Sequence, residues 1–227
     1  MKRSIWDGIS LLIIGALLIG CGPASVSTGF AGTWTANIGT VSFVQKDNEI
    51  TGVIQGYGGF WNETFTGTLN ENGEAVFSTE WFGDFTLVLE GEDSFRSNST
   101  ELAFCGVRGE NMELPAGCGF SGKWIVPSKS VFLPGSYMIL TQVAGDVTGS
   151  LYNEKDNEYD TFTGVMEWGK GWRANGKTDQ WNELSLWMNA SETGFEFMTG
   201  NLGNRQELCA VREGLQSAYL SSFTCEP

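Results

Sequence analysis

The chain has 227 residues, of which 27 are acidic and 13 are basic, and it contains no histidine. The absence of histidine excludes Ser-His-Asp and Cys-His catalysis, and also the histidine sites that dominate zinc and copper chemistry. The net charge of −14 argues against nucleic acid as a partner and against docking on anionic lipid by charge. We predict neither a metal site nor a cofactor.

The first twenty residues have the pattern of a secretory signal. Lys2 and Arg3 give a positive start, and an apolar segment follows at residues 11–19. The segment leads into the tetrapeptide Leu18–Cys21, which resembles the lipobox of bacterial lipoproteins. The resemblance implies cleavage before Cys21 and lipidation of its thiol. An ordinary signal peptide or a membrane-spanning anchor is the alternative, although a spanning helix needs about 20 apolar residues.

We predict a signal peptide at 1–20, a lipidated linker at 21–29, a first module at 30–118 and a second module at 119–227. Cleavage removes two basic residues and one acidic residue, which leaves 11 basic and 26 acidic residues and a net charge of −15. The small, polar linker suits a soluble body on a lipid tether. The expected location is the cell envelope, on the extracytoplasmic side of a bacterial membrane, and on the outer membrane if the organism has one.

Turn signals divide the first module into short strands. Apolar and polar residues alternate at 40–45 and 85–89, which is typical of half-buried strands. Asn72-Gly73 is a strong signal for a two-residue hairpin. The predicted strands are 32–38, 40–46, 49–57, 63–70, 74–80, 84–90, 94–98 and 101–108. Because closure removes both exposed edges of an eight-stranded antiparallel sheet, we predict an all-β, up-and-down barrel; a two-sheet sandwich is the alternative.

The ends of the first module carry a matched tryptophan and arginine. Trp34 lies in the opener Phe30-Ala-Gly-Thr-Trp34, and Arg108 ends the closer Cys105-Gly-Val-Arg108. We expect the Arg108 guanidinium to lie across the Trp34 indole where the barrel is sealed. A Gly-x-Trp opener with a closing basic residue resembles the calycin superfamily, which includes the lipocalins and avidins. The resemblance implies a small eight-stranded barrel.

The second module repeats the first. Phe120-Ser-Gly-Lys-Trp124 and Cys209-Ala-Val-Arg212 match the opener and the closer, so Arg212 is expected to cover Trp124. Further landmarks recur in the same order: Gln45 and Gln142, Thr51-Gly52 and Thr148-Gly149, Phe65-Thr-Gly67 and Phe162-Thr-Gly164. This agreement indicates a tandem duplication and hence two eight-stranded antiparallel barrels in tandem.

Four cysteines remain after Cys21, and four cysteines allow three pairings. Each module has one cysteine in its closing strand and one shortly downstream. The duplication therefore favours the disulfides Cys105–Cys118 and Cys209–Cys225, formed outside the cytoplasm.

Acidic residues suggest two kinds of site. The run from Asn153 to Asp160 holds enough oxygen ligands for calcium, but it lacks the glycine and the spacing of an EF-hand loop, so a solvated hairpin tip is favoured. Carboxylate pairs could hydrolyse a sugar, with Glu63/Glu80 or Asp160/Glu167 as candidates, but the sequence does not set their separation. We expect no catalytic residues and a protein that is not an enzyme, with a glycosidase as the least favoured alternative.

Three tryptophans that do not recur, Trp168, Trp172 and Trp187, are the candidates for ligand binding. Trp168-Gly-Lys-Gly-Trp172 is a turn flanked by two indoles, a layout able to present aromatic faces to a sugar or a peptide. The alternative is that these indoles fill the second barrel, as large aromatics usually do.

We expect a non-catalytic binding module for a small molecule, a glycan or a peptide, held to the membrane through Cys21. The alternative is a barrel that binds a partner protein and blocks its cleft, as the small barrel-shaped protease inhibitors of bacterial envelopes do.

Overall fold

The computed structural model describes residues 29–59, 61–79, 82–99, 102–126, 135–168, 172–180, 183–199, 209–219 and 224–225. The predicted signal peptide, Cys21 and all but the last residue of the predicted linker lie outside the described residues. Over the described ranges the regular elements are β-strands, and no helix there is long and apolar enough to cross a membrane.

Eight strands form the first barrel, which we call barrel 1. They are β1 (Gly32–Ala36), β2 (Gly39–Lys46), β3 (Glu49–Gly56), β4 (Asn62–Leu69), β5 (Ala75–Thr79), β6 (Gly83–Leu89), β7 (Ser94–Ser97) and β8 (Cys105–Arg108). Each strand pairs antiparallel with the next, and β1 pairs with β8 through Trp34 and Arg108. The predicted barrel is therefore confirmed, and its closure excludes the two-sheet sandwich.

The second barrel, barrel 2, has the same order of strands. They are β9 (Gly122–Ile125), β10 (Tyr137–Val143), β11 (Asp146–Tyr152), β12 (Glu158–Trp168), β13 (Trp172–Thr178), β14 (Leu184–Met188), β15 (Gly194–Thr199) and β16 (Cys209–Arg212). The sheet closes where β9 pairs with β16 through Trp124 and Arg212. A two-stranded sheet of β17 (Ala218–Tyr219) and β18 (Thr224–Cys225) follows, which the sequence did not predict.

Aromatic rings fill barrel 1. Five of them are buried in one group: Phe43, Phe65, Phe77, Phe85 and Phe95. Neighbouring ring centroids in this group lie 4.9 to 6.0 Å apart, mostly at steep angles, which is the favourable geometry for aromatic pairs. The inward-facing residues of barrel 2 are more aliphatic and include Met138, Leu140, Leu151, Leu184 and Leu186.

Several glycines on the strands make room for aromatic rings. Gly52 on β3 pairs with Phe65 on β4, and the Phe65 ring occupies the space where a Cβ of residue 52 would stand. In barrel 2 the ring of Phe162 lies in the same way against Gly164 and Gly176. These glycines are therefore required by packing rather than by a turn.

The two barrels are stacked end to end. One end of barrel 1 is formed by the connections at 37–38, 57–59 and 102–104. This end contacts the end of barrel 2 at which Arg212 lies. The Tyr57 ring packs against Gly145, and the N–H of Ala103 donates to the carbonyl of Ala190 at 2.8 Å. This last bond explains why β8 begins at Cys105 instead of the predicted residue 101, since the backbone at Ala103 bonds to barrel 2.

Gly52→Ala should lower the free energy of unfolding by about 1–3 kcal/mol, because the added methyl group must displace the packed Phe65 ring. Thr51→Val, at the exposed neighbouring position, is the matched control and should stay within about 0.5 kcal/mol of the wild type. Chemical denaturation followed by tryptophan emission measures both. A Gly52→Ala protein as stable as the control would contradict the packing role.

Candidate functional site

Arg108 seals one end of barrel 1, as predicted. Its guanidinium carbon lies 4.1 Å from the centroid of the Trp34 ring. The guanidinium also donates to three backbone carbonyls, those of Gly29, Ala31 and Glu92, at 2.6, 2.7 and 3.0 Å. The indole Nε1 of Trp34 donates to the carbonyl of Phe30 at 2.7 Å. The opener is thus held to the closing strand by both side chains.

Barrel 2 repeats this closure bond for bond, so the predicted pair is confirmed here too. The Arg212 guanidinium carbon lies 4.1 Å from the centroid of the Trp124 ring. Its three carbonyl acceptors are those of Gly119, Ser121 and Glu192, at 2.8, 3.0 and 2.8 Å. The indole Nε1 of Trp124 donates to the carbonyl of Phe120 at 2.8 Å.

Both predicted disulfides, Cys105–Cys118 and Cys209–Cys225, are present. The first joins β8 to the segment just before the opener of barrel 2, so it fixes the connection between the barrels. The second joins β16 to β18 and holds the small C-terminal sheet to barrel 2.

A buried carboxylate joins the two barrels. Glu192, in the turn between β14 and β15, is 2 % exposed. Its carboxylate accepts the side-chain amide of Asn37 at 2.5 Å and the N–H of Gly119 at 2.7 Å. Asn37 belongs to barrel 1, in the connection between β1 and β2. Gln142 adds a second link, since its amide donates to the carbonyl of Asn37 at 2.9 Å.

This junction was not predicted from the sequence, although the repeat contains a signal for part of it. Gln45 and Gln142 recur as landmarks, and each accepts the opener's N–H, from Phe30 or Phe120, at 3.0 Å. Only Gln142 faces the other barrel. A repeated polar residue at a fixed distance from the opener was therefore a sign of a structural hydrogen bond.

Burial raises the pKa of Glu192 above its ordinary value of 4.5. The hydrogen bond from Asn37, the charge of Arg212 and the N–H of Gly119 act in the opposite direction but are weaker. Arg212 Nη2 lies 3.9 Å from the carboxylate of Glu192, and burial also lowers the pKa of Arg212. The junction therefore holds a charge pair that pays a desolvation cost.

The three candidate tryptophans do not share one face of barrel 2. Trp172 points into the barrel and is 8 % exposed. Trp187 is half-buried on the outer wall, where the Arg173 guanidinium lies 4.9 Å from the centroid of its ring. Trp168 pairs with Trp172 across the β12–β13 hairpin, but its side chain lies outside the described residues.

Asp160 and Glu167 cannot act as a catalytic pair. Asp160 points inward near the start of β12, whereas Glu167 is exposed near its other end. Seven residues of strand span about 23 Å, whereas glycosidase carboxylates stand roughly 5–9.5 Å apart. In the other candidate pair, Glu80 lies outside the described residues.

The acidic run after β11 forms an exposed hairpin turn, as predicted. Asn153 Oδ1 accepts the N–H groups of Lys155 and Asn157, and residues 154–158 are exposed. Within the part of the chain that the structure describes, no three acidic or cysteine side chains come together as a metal site would require.

Two concave regions lie on the outer surface. One, of about 380 Å³, lies beside the junction and is lined by Tyr57, Gly58, Gly145, Asp146, Val165, Met166 and Glu167. The other, of about 730 Å³, lies on the wall of barrel 1 over β3 to β6 and is lined mostly by exposed threonine, serine and acidic side chains. Neither is an enclosed cavity.

The end of barrel 2 away from barrel 1, which we call the distal end, contains buried polar side chains. Ser136, just before β10, is 1 % exposed, and Asp160 is 2 % exposed. Tyr159 lies beside them and is half-buried. Asp160 ends an acidic run in the sequence, although its alternation with Phe162 indicates an inward side chain. In comparisons with known proteins, no family model, no curated protein and no solved structure matches the chain.

Arg108→Ala should lower the free energy of unfolding by about 1–3 kcal/mol, because three carbonyls lose their donor and the indole loses its cation. Arg212→Ala should lower it further, since it also removes the charge beside buried Glu192. Lys177→Ala, at an exposed position, is the control and should stay within about 0.5 kcal/mol of the wild type. Urea denaturation gives the three values, and equal losses for the two arginines would contradict the role of Arg212 at the junction.

Glu192→Gln should remove a pH dependence of stability. Because the fold raises the pKa of Glu192, its contribution to stability is fully present below about pH 4.5 and is lost as the pH rises through the folded pKa. The wild type should therefore lose stability relative to Glu192→Gln from about pH 4.5 upward. Unfolding free energies at stepped pH test this, with the exposed counterpart Glu92→Gln as the matched control. Parallel curves for the wild type and Glu192→Gln would overturn the assignment.

Proposed function

We propose that this protein is a lipid-anchored, non-catalytic binding protein of the bacterial cell envelope, built from two calycin-like barrels, and that it binds a small ligand at the distal end of barrel 2. The observation that carries the proposal is the occupancy of the barrel ends. Among the described residues, three of the four barrel ends are covered by the protein's own groups, and the fourth contains buried polar side chains without hydrogen-bond partners.

Barrel 1 offers no free end to a ligand. Arg108 and Trp34 cover one end together with the opener, and the Phe30 ring packs on the Phe43 ring just inside it. The other end meets barrel 2 through Asn37 and Tyr57. Between these ends the interior is filled by packed phenylalanine rings, which leaves barrel 1 as a support rather than a container.

The tether and the distal end lie at opposite ends of the stack. Gly29, the first described residue, is bound by Arg108 at the sealed end of barrel 1. The chain therefore enters from that end, and the segment from Cys21 to Phe30 reaches at most about 30 Å at full extension. A protein held to lipid at Cys21 would present the distal end away from the membrane surface, where a ligand can reach it.

Two further observations support a binding role without catalysis. The chain has no histidine, and the carboxylates of Asp160 and Glu167 stand on different faces of β12. The calycin-like assignment draws on the closures at Trp34–Arg108 and Trp124–Arg212, which have the arrangement that the Gly-x-Trp opener implied.

The anchor and the binding site are tested together. Cys21→Ala should move the protein from the membrane fraction to the soluble fraction, because it removes the acyl chains. The detergent-solubilised wild type is then titrated by calorimetry with a panel of sugars, short peptides, amines and lipids. At least one member should bind, and Ser136→Phe should abolish that binding because the added ring fills the distal end.

Thr51→Phe, on the exposed wall of barrel 1, adds the same ring elsewhere and should bind as the wild type does. If Ser136→Phe does not fold, the rise in melting temperature of the wild type with ligand replaces it as the readout. Binding that survives Ser136→Phe, or a panel in which nothing binds, would refute the distal site. A Cys21→Ala protein that stays in the membrane fraction would refute the lipid anchor.

A further inference from the structure

Asp160 is a buried carboxylate with one oxygen free. It shares the inward face of β12 with Phe162, and it pairs with buried Leu151 on β11. Its Oδ1 accepts the N–H groups of Thr161 and Asp179, both at 2.9 Å. Its Oδ2 is buried and has no hydrogen-bond partner among the described residues. One oxygen therefore stabilises the fold through two hydrogen bonds, and the other has no bonding role among the described residues.

Two hydroxyl groups lie beside this carboxylate. The hydroxyls of Tyr159 and Ser136 are buried and, like Asp160 Oδ2, have no hydrogen-bond partner among the described residues. Burial raises the pKa of Tyr159, the Ser136 hydroxyl lowers it, and the Asp160 charge raises it. The distal end therefore contains three buried polar atoms that the described residues leave without a partner.

A free carboxylate oxygen in this position requires a donor. A carboxylate only accepts hydrogen bonds, and an unsatisfied buried polar group costs about 1–3 kcal/mol, more when it is charged. No salt bridge between the described residues includes Asp160. A ligand that brings a positive donor would remove this cost and form a strong charge-assisted bond.

The surroundings of Asp160 favour a cation. Two of the turns at the distal end, with the residues that flank them, carry five acidic residues at described positions: Glu154, Asp156, Glu158, Asp179 and Glu183. The basic residues near them at described positions are two lysines, Lys155 and Lys177. The excess of negative charge attracts cations and repels carboxylates and phosphates, and the whole chain has the same sign.

An ammonium group fits this site better than a metal ion. Asp160 offers one free carboxylate oxygen, and its close neighbours are the hydroxyls of Ser136 and Tyr159. Calcium takes six to eight oxygen ligands and usually several carboxylates. An ammonium has three donors, which match one carboxylate oxygen and two hydroxyl oxygens.

We propose that the distal end of barrel 2 binds a small organic amine, with its ammonium group on Asp160 Oδ2 and on the hydroxyls of Ser136 and Tyr159. This inference rests on the proposed function and names the ligand class for the same site. It assigns to Asp160 a role in specificity, which is to select a cation over a neutral analogue of equal size.

The test compares amines with neutral molecules of matched shape. Calorimetric titration of the full, detergent-solubilised protein uses butylamine, putrescine and glucosamine against butanol, butanediol and glucose. The amines should bind at least about tenfold more tightly than their neutral partners, since a charge-assisted hydrogen bond is stronger than a neutral one by roughly that amount. Asp160→Asn keeps an Oδ1 acceptor for the two N–H groups and should lose this preference.

Asp179→Asn removes a charge from the same end at an exposed side chain, and it should change amine affinity less than about twofold. If Asp160→Asn fails to fold, the melting temperature of the wild type with each amine and its neutral partner gives the same comparison.

The outcomes separate the two proposals. If a neutral molecule binds, is blocked by Ser136→Phe and is insensitive to Asp160→Asn, the binding function stands and the amine assignment is wrong. If amines bind equally well to Ser136→Phe, they bind elsewhere, and both proposals are wrong. If Asp160→Asn and Asp179→Asn weaken amine binding equally, the effect is one of general charge, and the specific role of Asp160 is refuted.

Discussion

A planar guanidinium at the seam of each sheet is the contact on which the architecture depends. A barrel exists only while its first and last strands stay paired, and Arg108 and Trp34 face each other at that pairing. The arginine binds carbonyls from the opener and from the turn before the seventh strand, so three parts of the chain meet on one side chain. A lysine has no planar fork and could not reach three divergent carbonyls while covering an indole. The same contact recurs at Arg212, which is why both copies closed in the same way.

The two copies have kept this closure and changed its surroundings. Glu92 and Glu192 occupy the same place, three residues before Phe95 and Phe195, and each gives its backbone carbonyl to the closing arginine. The side chain of Glu92 is exposed, whereas that of Glu192 is buried against Asn37 of the other barrel. A buried carboxylate needs donors in fixed directions, so it specifies one position of the barrels relative to each other. An apolar contact of the same area would specify that position less strictly.

Much of the fold could be predicted from the sequence because the sequence landmarks occur in both copies in the same order, so that each copy checks the other. The strands, the disulfides and the tryptophan–arginine pairs each follow from spacing within one copy and agreement with the other. The junction could not be predicted in this way, because it depends on residues for which the copies differ in environment or identity. Asn37 has Pro127 at the matching position, and the burial of Glu192 arises only when two finished barrels meet. The buried position of Asp160 was hard to recognise because several of its neighbours in the sequence are acidic and exposed, although the alternation of β12 directs its side chain inward.

The end-to-end stacking also bears on the order in which the chain folds. Neighbouring strands of barrel 1 meet across short hairpins, and its seam joins residues 74 positions apart, as between Thr35 and Gly109. The junction joins Asn37 to Glu192, which are 155 positions apart. A chain synthesised from its N-terminus can therefore complete barrel 1 while most of barrel 2 is still unfolded or absent. Until barrel 2 has folded and Glu192 is in place, the Asn37 amide and the Tyr57 ring remain exposed to solvent at the end of barrel 1. The interval between the two closures is thus the period in which the nascent protein is most exposed to mispairing with another copy.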